Sequence, residues 1–193
     1  MKKKDKGFTI IEIALVLAIA GAIFAAVFIA LRGVWADERD GERRDDMISF
    51  IRQLKNYQTN NARGALPGSS SNDKDSETMK NQGDIHIKGY NETTGLFENV
   101  NSDRNSDTSW YSFYTTYFRD NFTDPDGVKY NLRVRECKAA AEKSCGLGTP
   151  EPYTIEVIIG ANCYGEDAVG SKNSRNVAVM YDMEVGGYYC ENT

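Results

Sequence analysis

The side chains that could take part in chemistry are few and lie far apart in the sequence. Cysteine occurs at four positions, Cys137, Cys145, Cys163 and Cys190, and His86 is the single histidine. One histidine cannot build a histidine-based metal site or a catalytic pair, so we expect His86 to be a solvated loop residue. The chain has no Cys-x-x-Cys pair for zinc, no phosphate-binding loop and no nucleophile elbow. The sequence therefore predicts neither an enzyme nor a cofactor.

Carboxylates offer one candidate metal site. Asp124 and Asp126 belong to the run Asp-Pro-Asp-Gly, and Glu166 and Asp167 lie further along the chain. Carboxylate oxygens are ligands that calcium accepts, but the spacing is not that of an EF-hand loop. Asp-Pro-Asp-Gly is also a typical turn sequence. We therefore interpret 124–127 as a turn, with a Ca²⁺ site as the lesser alternative.

One ionisable residue, Glu12, stands at the start of a long apolar segment. The segment Ile13–Leu31 has 19 residues without a charged or strongly polar side chain. As an α-helix it would be about 29 Å long, close to the hydrocarbon thickness of a bilayer. The lysines before it favour a cytoplasmic N-terminus and place the rest of the chain outside. A carboxylate at this position is costly without a partner, so Glu12 is a candidate functional residue.

Three interpretations of this N-terminal segment compete. A secretory signal peptide would be cleaved after the apolar run, and Val34–Ala36 weakly fits such a site. The run is longer than the usual apolar region of a signal peptide, however, and Arg32 lies before that site. A plain single-span anchor is the second interpretation. Neither of the two explains Glu12.

The third interpretation accounts for the whole segment. A short basic leader ends in Gly7-Phe8-Thr9-Ile10-Ile11-Glu12, and an uninterrupted apolar helix follows. This pattern resembles the processing signature of type IV prepilins. The resemblance implies that a prepilin peptidase cleaves between Gly7 and Phe8 and methylates the new Phe8 amine. It also implies that Glu12 pairs with the N-terminal amine of a neighbouring subunit during assembly.

The function implied by this resemblance is that of a structural subunit of a type IV pilus. The subunit would be a single-pass inner-membrane protein and would then polymerise into a helical filament on the bacterial surface, for adhesion, motility or DNA uptake. The implied partners are further copies of the chain, the prepilin peptidase, the pilus assembly platform and minor pilins. A type II secretion pseudopilin is the alternative within the same superfamily, because the run from Asp124 to Tyr130 is similar to an element of pilins and pseudopilins. A membrane-anchored extracellular binding domain that does not polymerise is the alternative from another class.

The fold that the resemblance implies is pilin-like and of the α+β class. A long N-terminal helix, with a transmembrane half and an amphipathic half, would pack on a small antiparallel β-sheet. The expected organisation is a leader at 1–7, a transmembrane or filament-core helix at 8–34, an amphipathic helix at 35–64 and a globular head at 65–193.

Patterns within the head predict its parts. Residues 65–108 are rich in small polar residues and are expected to form an exposed loop with one short strand at 85–87. Aromatic residues recur at helical spacing from Trp110 and predict a core-packed helix at 109–122. Alternating apolar residues predict an antiparallel sheet over 128–193. Its strands are expected at 128–134, 153–160, 176–185 and 188–190.

Four cysteines in an exported body predict disulfides, and three connectivities are possible. Cys137 and Cys145 would close a short loop. Cys163 and Cys190 bracket the last strand region, as the C-terminal disulfide loop of pilins does. The resemblance therefore favours Cys137–Cys145 together with Cys163–Cys190.

The distribution of charge excludes one class of partner. The first seven residues contain four lysines and one aspartate, and the whole chain carries −5, so the remainder carries −8. A body this acidic repels the phosphates of nucleic acids. We therefore expect no bulk binding of nucleic acid.

Overall fold

The computed structural model describes residues 8–61, 64–69, 74–82, 84–91, 96–98, 100–118, 122–146 and 151–193. Gly7 lies outside these described residues. The helices are α1 (Ile10–Asn60), α2 (Lys74–Gln82) and α3 (Trp110–Tyr117). The strands are β1 (Asp84–Asn91), β2 (Leu96–Glu98), β3 (Asn131–Glu136), β4 (Thr154–Ile159), β5 (Ala161–Tyr164), β6 (Asp167–Gly170), β7 (Val177–Asp182) and β8 (Tyr188–Asn192).

The chain divides into two compact units, Met1–Glu38 and Arg39–Thr193. The first unit contains the apolar beginning of α1. The second unit, which we call the body, contains the remainder of α1, the two shorter helices and the described strands. A long N-terminal helix and a β-sheet together confirm the predicted α+β, pilin-like fold class.

The main sheet of the body has six strands in the order β2-β1-β3-β4-β7-β8. Four of its five neighbouring pairs are antiparallel. Two of these, β4 with β7 and β7 with β8, lie within the antiparallel sheet predicted over 128–193. The exception is β3 with β4, which run parallel over 131–136 and 154–159. A parallel pair needs a crossover connection, and the described part of this connection, at 137–146 and 151–153, holds the Cys137–Cys145 loop. The sheet is therefore mixed.

The body portion of α1 packs on one face of the sheet through a stripe at helical spacing. This stripe comprises Met47, Phe50, Ile51, Leu54 and Tyr57. These residues belong to one buried cluster with inward-facing strand residues, which include Leu132, Val134, Ile155, Val157, Val177 and Val179. The helix is amphipathic here because its opposite face is polar and exposed.

α3 is an aromatic helix that fills the same core. Ser109 caps its N-terminus by accepting a hydrogen bond from the Ser112 amide. Trp110, Phe113 and Tyr114 are fully or almost fully buried. Phe113 meets Phe50 of α1 edge to face, with 5.8 Å between the ring centres. The aromatic spacing thus reflects core packing.

The region 65–108, expected to be an exposed loop, instead contains α2, β1 and β2. β1 pairs with β3 in the sheet, and Ile85 and Ile87 are fully buried against the core. The short strand expected at 85–87 lies within β1, and the structure extends it to Asp84–Asn91. A further difference is that β3 begins at Asn131, since the Val128 carbonyl accepts from the Asp124 amide within the turn.

A separate two-stranded sheet, β5 with β6, lies between β4 and β7 in the chain and was not predicted. Gly165 and Glu166 form its two-residue turn, and Gly165 has a positive φ of 62°. A glycine at the first position of such a turn favours a hairpin, and this was the available signal. Small apolar residues of the hairpin pack with Ile158, Ala178 and Met180 on the second face of the main sheet.

The structure contains the disulfides Cys137–Cys145 and Cys163–Cys190. Both lie against the small cluster on the second face of the sheet. They close loops with sequence separations of 8 and 27 residues. Since Cys190 belongs to β8, the second disulfide joins that edge strand to β5.

Removing the longer disulfide should destabilise the body more than removing the shorter one. Loop-closure entropy gives about 3.6 kcal/mol for Cys163–Cys190 and about 2.6 kcal/mol for Cys137–Cys145. We expect the double variants C163A/C190A and C137A/C145A to follow this order in thermal unfolding of the full chain. Equal losses for the two variants would contradict the loop-length argument.

Candidate functional site

The N-terminal site is built by the first turn of α1. Thr9 occupies the cap position, and its hydroxyl accepts a hydrogen bond from the Glu12 amide at 3.3 Å. Glu12 reaches back, and its Oε2 accepts from the Thr9 amide and from the Thr9 hydroxyl, each at 2.9 Å. This reciprocal arrangement is a capping box, which satisfies two amide donors at the helix start. Within one chain, Glu12 therefore has a local structural role.

The apolar side chains that follow Glu12 are left uncovered by the residues that the structure describes. The side chain of Phe8 is 83% exposed, and every large apolar residue from Phe8 to Trp35 is exposed. The early part of α1 is long and apolar enough to cross a membrane. An apolar surface of this extent marks a site that lipid or other protein covers. Glu12 is thus a carboxylate at the beginning of an apolar surface that lipid or another protein must cover.

A second site, not predicted from the sequence, lies in the body around Arg43 of α1. The Arg43 side chain is only 5% exposed. Its guanidinium group donates to Asp124 through two nitrogens, Nε at 2.8 Å and Nη2 at 3.0 Å. It also donates to Asp40 at 2.9 Å, Asp126 at 3.1 Å and Glu184 at 3.2 Å. We call these five residues the Arg43 cluster.

Asp40 fixes a second segment of chain to the helix. Its two carboxylate oxygens accept from the backbone amides of Glu184 and Val185, each at 2.9 Å. These amides belong to the connection between β7 and β8. The Arg43 cluster therefore ties α1 both to the Asp-Pro-Asp-Gly turn and to the β7–β8 turn. Its chemistry is structural, because each buried charge has a fixed partner of opposite sign or a hydrogen-bond donor.

Two tyrosines extend the cluster. Tyr181 of β7 donates its hydroxyl hydrogen to Asp124 Oδ2 at 2.8 Å. Tyr130 donates to Asp46 of α1 at 2.8 Å. Burial raises the pKa of the Asp46 carboxyl, and the hydrogen bond from Tyr130 only partly opposes this effect. The tyrosines therefore connect the sheet to the polar residues at the edge of the helix stripe.

The cluster shifts the titration of its carboxyls. Burial opposes ionisation of Asp124, but hydrogen bonds from Arg43, from the Asp126 amide and from Tyr181 outweigh it and lower the pKa of this carboxyl. Burial likewise opposes ionisation of Asp40, but the Val185 and Glu184 amides and Arg43 lower its pKa. Both groups are thus stabilised in the ionised form.

Acid should weaken the body through these two carboxyls. A carboxyl with a lowered pKa contributes stability that is present above its unfolded pKa of about 3.9 and lost as the pH falls through its folded value. We therefore expect the melting temperature of the full chain to fall as the pH drops below about 4. D124N should melt at a lower temperature at neutral pH and depend less steeply on acid. An equally steep dependence would contradict the role assigned to Asp124.

The carboxylates considered as calcium ligands are not brought together. Asp124 and Asp126 face Arg43, whose positive charge occupies the position that a cation would need. Asp167 caps its own strand by accepting from the Ala168 amide at 2.9 Å, and Glu166 lies in the β5–β6 turn. Among the described residues, no group of three or more potential ligands could hold a metal ion. The turn interpretation of 124–127 fits this arrangement.

His86 lies in strand β1 rather than in a solvated loop, which corrects the expectation from the sequence. It is partly buried, and its backbone amide donates to Asn101 Oδ1 at 2.6 Å. Its register partner in the sheet is Arg133. The short strand expected at 85–87 agrees with this position, and the loop is the expectation that the structure overturns.

A group of charged side chains on the second face of the main sheet was also not predicted. Arg133 donates to Asp84 at 2.6 Å and to Glu156 at 3.4 Å. Arg135 Nε lies 3.6 Å from Glu156 Oε2. Burial raises the pKa of the Glu156 carboxyl, and the two arginines partly oppose this. These cross-strand pairs fix the register of β1, β3 and β4 on this face.

Comparison with known proteins supports the N-terminal site. A family model described as the prokaryotic N-terminal methylation motif matches residues 2–28. The matched stretch contains Gly7, Phe8 and Glu12 and most of the apolar run. No curated protein matches the chain, and no solved structure matches it. The chain thus carries, over residues 2–28, the N-terminal methylation motif that is the signature of type IV prepilins.

Proposed function

We propose that this chain is a structural subunit of a type IV pilus. The prepilin peptidase would remove residues 1–7 by cleavage between Gly7 and Phe8 and would methylate the new amine of Phe8. The mature subunit would then polymerise into a helical surface filament. The observation that carries this proposal is the methylation motif at residues 2–28, which leads directly into a helix whose large apolar side chains are exposed.

Glu12 would act by pairing with the Phe8 amine of a neighbouring copy. A carboxylate and an ammonium each lose several kcal/mol of hydration in an apolar surrounding, and pairing recovers much of that loss. The capping box already orients the Glu12 side chain toward the N-terminal end of the helix. Such a pair would set the position of one apolar helix along the next.

The proposed organisation follows the course of assembly. Residues 8–34 would cross the inner membrane before assembly and form the filament core afterwards, and residues 35–64 would continue as the amphipathic helix. Residues 65–193 would form the head, outside the cell membrane. Besides other copies, the partners would be the prepilin peptidase, the assembly platform and minor pilins. The chain would be the substrate of an enzyme and not itself an enzyme.

A filament preparation tests this proposal. We expect surface filaments sheared from the cells that make this protein to contain the chain, and antibodies against its body to decorate them in electron micrographs. A strain that lacks the chain serves as the control. Cells that carry the chain in the membrane but release no filaments containing it would contradict the proposal.

The Asp-Pro-Asp-Gly turn keeps the pseudopilin function as a second candidate, because this element is similar to one shared by pilins and pseudopilins. The C-terminal disulfide favours a pilin. A pseudopilin would support the secretion of other proteins and, at its normal expression level, would not form long surface fibres. Loss of a secreted protein without loss of fibres in the deletion strain would favour this second candidate.

A further inference from the structure

The exposed face of α1 in the body separates its charges along the helix. Glu42 and Asp45 are exposed at one end of this face, and Arg52 and Lys55 are exposed at the other. Arg44 is also exposed beside the acidic pair, but its guanidinium group lies over the ring of Tyr189, so we do not count it in this arrangement. Ile48 lies between the two groups and is 37% exposed, although it is a large apolar residue. We call this arrangement the charged stripe, and it lies opposite the buried stripe that packs on the sheet.

The four charges of the stripe have no partner within the part of the chain that the structure describes. None of their side chains makes an ion pair or a hydrogen bond there. Arg39 and Arg43, on the same helix, differ because each binds carboxylates of the body. Pairing within the stripe is excluded by spacing, since side chains on a helix meet three or four residues apart and the nearest opposite charges, Asp45 and Arg52, are seven apart.

The two groups of charges match each other at one displacement. Glu42 and Arg52 are ten residues apart, and so are Asp45 and Lys55. Ten residues of α-helix correspond to about 15 Å. Two parallel copies displaced by this distance would therefore bring the members of both pairs to the same height along the helix axis, and a rotation of one copy about its own axis would turn them toward each other.

We propose that the charged stripe binds the same stripe of a second copy of this chain, displaced along the helix axis by about 15 Å. This proposal rests on the proposed function, because polymerisation is what aligns the helices of successive copies in parallel. The contact is head-to-tail, so each copy presents its acidic end to one neighbour and its basic end to another, and the series does not close. Pairing of Glu12 with a Phe8 amine displaces two copies by about 6 Å, so the stripe contact joins each copy to a different neighbour from the one that Glu12 binds.

Charge complementarity distinguishes a second copy from other occupants. A nucleic acid or an anionic membrane would be attracted to Arg52 and Lys55 but repelled by Glu42 and Asp45. A partner must carry both signs in the reverse order along its contact surface. A parallel, displaced copy of this helix does so.

Zero-length cross-linking tests the contact on assembled filaments. A carbodiimide joins an amine to a carboxylate only when the two are in contact, and within one chain Lys55 is about 15 Å or more from Asp45 and Glu42 along the helix. We expect mass spectra of treated filaments to contain peptides that join Lys55 to Asp45 or Glu42. The detergent-solubilised subunit is the control and should lack them. Filaments without these peptides, or solubilised subunits that contain them, would overturn the proposal.

Charge reversal provides a second test. The variant E42K/D45K has an entirely basic stripe, and R52E/K55E has an entirely acidic one. We expect each alone to give about tenfold fewer sheared filaments, since like charges then meet in every contact. Coexpression of the two should restore filaments, because each variant then complements the other. The variant K138E/K143E, which changes two exposed lysines outside α1, is the matched control.

The outcomes separate this proposal from the proposed function. Wild-type cells without filaments would refute the polymerising function and the stripe contact with it. Two other outcomes would refute the stripe contact alone. The first is that wild-type cells make filaments and both charge-reversal variants make as many. The second is that coexpression does not restore filaments although both variants fold with an unchanged melting temperature.

Discussion

Replacing Glu12 with alanine is expected to abolish surface filaments while the chain remains in the membrane. Removing one partner of a buried ion pair costs about 3–5 kcal/mol, because the other charge stays buried without compensation. Each 1.4 kcal/mol is about a factor of ten in an equilibrium constant. Subunit addition should therefore be weakened by about a hundredfold or more. Counts of filaments per cell in electron micrographs, with membrane levels from immunoblots, measure the effect.

Two companion variants separate the charge of Glu12 from its role in the capping box. Glutamine also fits the third position of a capping box, so E12Q should keep the helix start and still lose filaments. T9A removes the cap hydroxyl and keeps the carboxylate, and it should reduce filaments only mildly. Abundant filaments from E12A, or equal losses from T9A and E12Q, would contradict a charge-pairing role.

Replacing Arg43 with methionine is expected to cause a large loss of stability in the body. The change leaves the buried carboxylates of Asp40 and Asp124 without their cation, at a cost of about 3–5 kcal/mol. For a unit of this size, 1 kcal/mol lowers the melting temperature by about 2–4 °C. Thermal unfolding of the full chain, followed by circular dichroism, should therefore show a decrease of roughly 6–20 °C.

Arg39 provides the matched control for this substitution. It lies one helical turn before Arg43 and binds Glu184, but its side chain is 33% exposed. Exposed ion pairs contribute about 1 kcal/mol or less, so R39M should lower the melting temperature by at most a few degrees. The Arg43 cluster would not be the main polar link between helix and sheet if R39M and R43M melted alike.

The N-terminal site could be predicted because its signals are local. Gly7, Phe8 and Glu12 lie within six residues, and the apolar run that follows is defined by composition alone. The buried stripe of α1 could be predicted equally well, since helical spacing is a property of neighbouring turns. Aromatic spacing from Trp110 indicated α3 for the same reason.

The Arg43 cluster could not be predicted because its partners are distant in the chain. Arg43 and Asp124 are 81 residues apart, and Arg43 and Glu184 are 141 apart. In the sequence, Arg43 is one of many charges in a polar stretch, and only the packing of α1 on the sheet buries it. Asp124 was noted as a calcium candidate for its charge, but its partner proved to be a guanidinium group.

Features of the sheet that were not fully predicted also depend on contacts between segments that are distant in the chain. The full length of β1 depends on its pairing with β3, and only the part at 85–87, which holds its two buried isoleucines, was expected as a strand. The parallel pairing of β3 with β4 depends on where the crossover 137–153 leads, which alternation of apolar residues does not encode. Local sequence patterns therefore predicted where strands occur better than they predicted which strands pair in the sheet.

The mass of the N-terminal peptide of the subunit in sheared filaments tests the central claim most directly. Processing as a type IV prepilin predicts a chain that begins at Phe8 with a methylated amine. A chain that begins at Asp37 would show cleavage as a secretory signal peptide, and a chain that retains residues 1–7 would show a plain membrane anchor. Either of these two results would contradict the proposed function.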